Sequence, residues 1–502
     1  MCPENIRSRF WLPLFALLAL NLCEERSIAS SPITPLGEAY LQLENQARKT
    51  APSLILAREE SRQKSAARWT AWTQWLPRLD LQLSQSQSID YSFVTSGAFG
   101  GLPFSFEPEK VNRSRWNLIA SLPLYRRSVH LGVQAAHTER ERSQIRLAVA
   151  EGEFDSKLLS AFGQLMAEEH ALVALTLSLE AAKKNLTEAR LRFELGQKTK
   201  IDVLRAEAEL SSLESRILTT RERRESTANR LAELTGVERS DITPLGVLDS
   251  KPLTAVELRG REESLRLGIE KLTTIESALS TLEPYLHSED EAAALQAIDR
   301  RLGGEILRSQ AIHADEDRAK IVAEGTVASE WPELTLQASL NKQAGAWDEA
   351  ISPSDRSYSV LLNLTIPVFS FGSSISRIQE DLAQREAAST QATASARELR
   401  NSLILDRSRI LMLIQAEKAQ RLAIRQNEEL AELSFRSYQL GRASILELLT
   451  AQNAAMEART QWVRTRVDLA SLVSNFTWTL LGQPVPHSLN VASSEMTEKE
   501  TP

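Results

Sequence analysis

The stretch Leu191-Arg-Phe193-Glu-Leu195-Gly196-Gln-Lys-Thr199-Lys-Ile201-Asp202-Val203-Leu204-Arg-Ala206 has a partner near the other end of the chain. That partner reads Ser434-Phe-Arg-Ser-Tyr438-Gln-Leu440-Gly441-Arg-Ala-Ser444-Ile-Leu446-Glu447-Leu448-Leu449-Thr-Ala451. Gly441 follows Gly196 by 245 residues, and Gly482 in Leu480-Leu481-Gly482 follows Gly236 in Leu234-Thr-Gly236 by 246. A matched pattern at so steady an offset is an internal duplication. Each copy reads as a helix end, a tight turn and a new helix. Glycine closes the first helix in the left-handed conformation. Thr199 and Ser444 follow as N-caps, with Asp202 and Glu447 three residues on as capping-box carboxylates.

The helices after these turns carry a heptad register. In the first, Val203, Leu210, Ile217 and Leu231 form one column and Ala206, Leu213 and Leu234 the other. The second shows Leu448, Ala455, Trp462, Leu469 and Phe476. Both predict long antiparallel hairpins of the coiled-coil kind.

Composition bounds the rest. Only 19 glycines and 18 prolines in 502 residues favour long regular elements, and a net charge of −7 gives no reason to expect a nucleic-acid partner. Arg7 and Arg9 precede an apolar run from Phe10 to Leu22, and Ser27-Ile28-Ala29 offers a cleavage site. This predicts a signal peptide over residues 1–29. Leu22 is bulky where a lipidation signal wants a small residue before Cys23. With Cys2 and Cys23 both in the signal, a mature chain has no thiol for a disulfide or a thiolate metal site.

Between the signal and the first hairpin, a helix is expected over 35–73. Leu76-Pro77-Arg-Leu79-Asp-Leu81-Gln-Leu83 then alternates with the period of a strand, over 79–91, and Trp116-Asn-Leu118-Ile-Ala120-Ser-Leu122 does so over 114–123. Between them a stretch rich in Gly and Phe, from Phe93 to Phe106, reads as loop. A breaker-poor helix follows over 126–195, with its return helix over 199–237. The order then repeats: helix 290–328, strands 333–341 and 357–366, long helix 370–440 and return helix 444–482. Residues 30–237 and 290–486 are thus two repeats, 238–289 a smaller side domain, and 487–502 a disordered tail. A helix of 70 residues spans about 105 Å, so its apolar stripe needs two shorter helices stacked end to end beside it.

Four strands with one apolar face cannot close a barrel alone, and lipid tolerates no open edge. A secreted chain with such strands is expected to oligomerise, three copies giving twelve strands. Trp69, Trp72, Trp75, Trp116 and Trp331 gather where an interfacial belt would sit, or else pack a helix–strand junction.

With Leu76-Pro77-Arg-Leu79 and Trp331-Pro332-Glu-Leu334 before strands, Leu122-Pro123-Leu124-Tyr125 and Ile366-Pro367-Val368-Phe369 after them, and both glycine turns, the chain resembles the TolC family of outer-membrane efflux proteins. The resemblance covers about residues 35–486. It implies a mainly α protein with a small β part: a homotrimer forming a twelve-stranded β-barrel in the outer membrane of a Gram-negative bacterium, and a long α-helical tunnel across the periplasm. It implies as partners a periplasmic adaptor and an inner-membrane pump or ABC transporter, in tripartite efflux or type I secretion. By position, Gly196 and Gly441 become adaptor contacts. Asp202 and Tyr438 become a latch holding the closed state, and Glu447 an acidic entrance ring. The sequence departs from the family at Thr450, neutral where a second ring carboxylate stands, and at Ala443, where a basic partner stands. Trp75, Trp116 and Trp331 become membrane-interface aromatics.

No catalytic chemistry is legible. His130, His137, His170, His287, His313 and His487 make no metal-binding pattern with carboxylates, and there is neither a phosphate-binding glycine loop nor a nucleophile elbow. The sequence therefore predicts a passive duct, with no enzyme activity and no cofactor. The competing reading is a secreted or surface coiled-coil structural or adhesive protein. Drug, metal, protein and oligosaccharide cargoes all remain compatible with the duct.

Overall fold

The computed structural model describes residues 35–94, 105–239, 255–272, 276–286, 291–304, 306–328, 331–352, 354–368 and 372–482. The expected signal peptide with Cys23, the centre of the Gly/Phe-rich stretch and the tail 487–502 lie outside them. The protein is mostly helical with one antiparallel sheet of four strands in the order β1-β2-β3-β4.

Two helices, α1 (Pro35–Thr50) and α2 (Pro52–Thr73), stand where the sequence predicts one over 35–73. Proline at the first position of α2 lacks the N–H that a continuous helix would use, and Ala51 before it is extended. Strands β1 (Arg78–Val94) and β2 (Ser105–Tyr125) run further toward each other than expected, so Val94 and Ser105 are still paired. The long helix α3 covers Arg127–Glu194, and α4 returns over Lys200–Thr235. Helices α5 (Ala255–Leu272) and α6 (Glu276–Leu286) follow. Where one helix over 290–328 is expected there are again two, α7 (Glu291–Leu302) and α8 (Leu307–Ala328). The Gly303-Gly304 pair breaks them, with Gly304 at a φ of 138° that side chains seldom adopt. Strand β3 (Glu333–Ala344), a short helix α9 (Trp347–Ile351) and β4 (Ser357–Thr365) lead to α10 (Ser373–Gln439) and its return α11 (Ile445–Leu481).

At 68 and 67 residues, α3 and α10 are each about 100 Å long. No helix among the described residues is long and apolar enough to cross a membrane. Each long helix is flanked by short ones meeting end to end. The Thr50 hydroxyl at the end of α1 donates to the Thr235 carbonyl at the end of α4, 2.7 Å away. In the second repeat, Leu307 at the start of α8 lies against Gly482 at the end of α11.

The core is densest midway along the helices. Tyr40, Leu54, Leu158, Phe162 and Met166 pack there with Leu258 and Ile269 of α5 and Val463 and Val467 of α11. Leu282 and Leu286 of α6 and Ile298 of α7 pack on Leu403, Ile410, Val473 and Phe476. Helices α5 to α7 thus thicken the middle of the bundle. A polar pin crosses the α10–α11 seam: Glu417 accepts from the Trp462 indole at 3.2 Å, Arg466 at 3.1 Å and Arg421 at 2.6 Å. A carboxylate left in that seam without these donors would cost several kcal/mol.

Candidate functional site

Two surfaces carry the candidate chemistry: the sheet at one end of the bundle and the two helix turns at the other. In the sheet, the register aligns Leu79, Ala120, Ala338 and Val360 in one row and Leu81, Leu118, Leu340 and Tyr358 in the next. Paired residues share a face, so these rows together with Leu83, Trp116, Leu122, Leu334, Leu336, Leu362 and Leu364 make one face apolar across all four strands. The opposite face is mostly polar, carrying Asp80, Gln82, Asn117, Ser121, Gln337, Ser339, Ser359 and Asn363, with Ile119 and Leu361 as apolar exceptions. Leu79, Leu81, Leu83, Val360, Leu362 and Leu364 are each more than half exposed. Among the described residues, nothing covers this band. Toward the hairpin ends the same face turns polar at Gln85 and Ser114 and is closed over by α9, where the Trp116 indole donates to the Ala350 carbonyl at 2.7 Å and Trp347 to Gln85 at 3.1 Å.

The tryptophans divide between two levels rather than forming one cluster. Trp75 and Trp331 precede β1 and β3, at the helix end of the sheet, with the Arg127 guanidinium 4.4 Å over the Trp331 ring. Stacked Trp69 and Trp72 lie just below on α2, 5.8 Å apart. Trp116 pairs with Lys342 at the far edge of the apolar band. The eleven residue steps from Trp331, just before β3, to Lys342 span about 36 Å, or about 25 Å of height for a strand tilted about 45°. That is the spacing of two aromatic girdles around a hydrocarbon layer.

At the other end, the two turns are built alike. Gly196 and Gly441 have φ of 72° and 74°. Gln197 donates back to the Arg192 carbonyl at 2.8 Å and Arg442 to that of Ser437 at 2.9 Å, the bond that closes a Schellman turn. A Cβ on either glycine would meet nothing within 4 Å. Substitution there would therefore strain the backbone without a clash.

The expected latch is not made. Asp202 is engaged locally, accepting from the Thr199 N–H at 3.2 Å and its hydroxyl at 3.0 Å, which is a capping box. Tyr438 is fully buried, and its hydroxyl has no hydrogen-bond partner. Burial, together with the Glu188 and Asp202 carboxylates, holds that phenol above its usual pKa against the opposing pull of Arg192. What joins the two turns instead is Arg192, one helical turn before Gly196. Its guanidinium donates to the Tyr438 carbonyl at 3.1 Å and the Gln439 carbonyl at 3.3 Å, lies 5.1 Å from the Tyr438 ring and pairs with Glu188. A cation on carbonyls at a helix C-terminus is favourable on both hydrogen-bond and dipole grounds. The sequence shows only a basic residue in a last helical turn; that it serves the other hairpin is a tertiary fact.

Glu447 lies in the first turn of α11, exposed. Its N–H donates to Ser444 Oγ at 3.2 Å, but its carboxylate has no hydrogen-bond or ion-pair partner among the described residues. Above the turns, a cleft of about 960 Å³ opens between the hairpins, lined in part by Glu188, Glu209, Phe435, Gln452 and Arg459. It is bridged by Asn185 to Gln452 at 3.1 Å and by Asn453 to Glu209 at 2.9 Å. Among the described residues no cluster of side chains could hold a metal ion.

Residues 307–473 match the model of the outer membrane efflux protein family. No curated protein matches the chain. Solved structures do. The outer membrane protein VceC from Vibrio cholerae is 16% identical with a TM-score of 0.66, over 88% of this chain and 96% of that one. The Campylobacter jejuni CmeC outer membrane channel is 15% identical at 0.68, over 99% and 98%. The Neisseria gonorrhoeae MtrE outer membrane channel, in its open state, is 15% identical at 0.64, over 91% and 92%. The fold is that of TolC-like outer-membrane channels.

Proposed function

We propose that this chain is a passive export duct of the Gram-negative outer membrane. Three copies would close a twelve-stranded barrel in the lipid and continue it as an α-helical tunnel through the periplasm. The observation that carries this reading is the two-faced sheet: an apolar face of membrane height and a mostly polar face, neither covered by any described residue. In water, a sheet exposing such a face would be costly; in lipid the apolar face is solvated and the polar face lines a pore. The helices favour oligomerisation too. Leu405, Met412, Leu422, Leu430 and Leu433 of α10 and Ile55 and Leu56 of α2 stay exposed on the single chain, as unpartnered stripes that neighbouring copies would bury.

On this reading the turns at Gly196 and Gly441 are the tip at which a periplasmic adaptor docks. Exposed Leu195 and Leu440 beside them supply apolar contact area. The adaptor links the duct to an inner-membrane pump or ABC transporter, in tripartite efflux or type I secretion. Three copies of the unpaired Glu447 carboxylate would ring the entrance and favour cations.

The test is detergent extraction followed by single-channel recording in planar bilayers, with oligomer mass measured alongside. A detergent-dependent trimer passing small, cation-selective steps is expected. A chain that releases into buffer and conducts nothing would be the coiled-coil structural protein instead.

A further inference from the structure

The apolar band does not run straight across the sheet. In β1 it is centred on Leu81, in β2 between Leu118 and Ala120, in β3 between Leu336 and Ala338, and in β4 on Leu362. Following the observed pairing, Leu81 stands opposite Leu118, Leu340 and Tyr358 in turn. The centre has therefore slid from the level of Tyr358 to Leu362, four residues over three strand-to-strand steps. A band that must stay level in a bilayer slides in this way only if the strands are tilted. Strands β1 and β4 are the open edges of the sheet, since among the described residues neither pairs with anything beyond β2 and β3.

We infer that these edges join between copies in one specific register. Leu81 of one copy lies opposite Leu364 of the next, with Leu79 opposite Ile366 and Leu83 opposite Leu362. This rests on the membrane reading above. The slope of four residues in three steps extrapolates to slightly more than five for the fourth step, from β4 to the next β1. Only even totals keep leucines on the lipid face, because a slip of one residue turns every side chain over. Six is the nearest even total. Six residues along the strand are about 20 Å and four strands across are about 19 Å, which tilts the strands by about 45°. Totals of four or eight would give about 35° or about 55° and would step the band out of level at each joint. On the polar face, the same register puts Gln82 opposite Asn363.

Disulfide trapping in native membranes tests this. Gln82→Cys and Asn363→Cys are placed in one full-length chain and oxidised with copper phenanthroline. Within one copy the two positions are separated by two intervening strands and cannot bond, so only joints between copies are trapped. Asp80→Cys with Asn363→Cys and Ser84→Cys with Asn363→Cys report registers two residues either way. The Gln82 pair is expected to form covalent dimers and trimers roughly fivefold faster than either neighbour, since a two-residue slip exceeds disulfide reach. Faster trapping of the Asp80 or Ser84 pair, or none in any pair while the mass shows an oligomer, would overturn the register alone. A monomer extracted without detergent would overturn the membrane reading with it.

Discussion

The turns at Gly196 and Gly441 share their backbone bonds and their place in the repeat, yet equivalent residues meet different surroundings, and only Asp202 completes its capping box. Phe193, three before the first glycine, is exposed; its counterpart Tyr438 is completely buried. Leu204 is exposed where Leu449 is buried, and Lys200 is exposed where Ile445 is fully enclosed. The second turn is tucked against the first hairpin, while the first faces outward. The return helices differ likewise. Helix α11 lies between α10 and α3 and buries Val463, Val467, Ala470, Val473 and Phe476, whereas α4 buries a narrower stripe that includes Thr220, Arg224 and Thr235. Duplication copies what neighbouring residues dictate to one another; position in the bundle then gives each copy its own work.

The largest expected effect comes from cutting the asymmetric link between the turns. Arg192→Ala removes two charge-assisted hydrogen bonds to the end of α10, on the order of 2 kcal/mol. If this link holds the turns together, the open-to-closed ratio in bilayers should rise roughly thirtyfold, since about 1.4 kcal/mol is a decade in an equilibrium. Unchanged gating would reduce Arg192 to a local helix cap. Next come the paired carboxylates. Glu447→Gln should weaken cation preference, by about half if it is the main ring charge. Asp202→Asn should leave selectivity alone and cost about 0.5–1 kcal/mol of stability in a thermal melt, through the capping box. Equal effects on selectivity would erase the distinction between the two turns. The smallest expected effect is that of Tyr438→Phe. Because the hydroxyl makes no hydrogen bond, its loss should change neither conductance nor stability by more than about 0.5 kcal/mol. A larger conductance would mean that the phenol finds Asp202 in a closed state.

Much of this was legible from local pattern. The heptad residues Leu448, Ala455, Trp462, Leu469 and Phe476 are all buried, because α11 is covered along its length. In α4 the same reasoning finds Val203, Ala206, Leu213 and Leu231 buried, but Leu210, Ile217 and Leu234 only partly so. Periodicity names a face without saying how many neighbours arrive to cover it. The breaks at Ala51 and Gly303 were written in the sequence as Pro52 and a glycine pair, signals that a long helical composition outweighed. That Trp116 stands at the opposite edge of the band from Trp75 and Trp331 follows from strand register, which the alternating stretch does not record.

The sequence by itself determined the duplication, the glycine turns with their caps, the alternating strands and the long helices. All of these follow from interactions within a few residues, where chain geometry leaves few choices. Tertiary structure alone decided that Arg192 serves a helix end 246 residues away, that Tyr438 is enclosed while Phe193 is not, and that the apolar band slides across the sheet. These depend on which elements lie side by side and at what level. Packing sets that, and no local pattern records it.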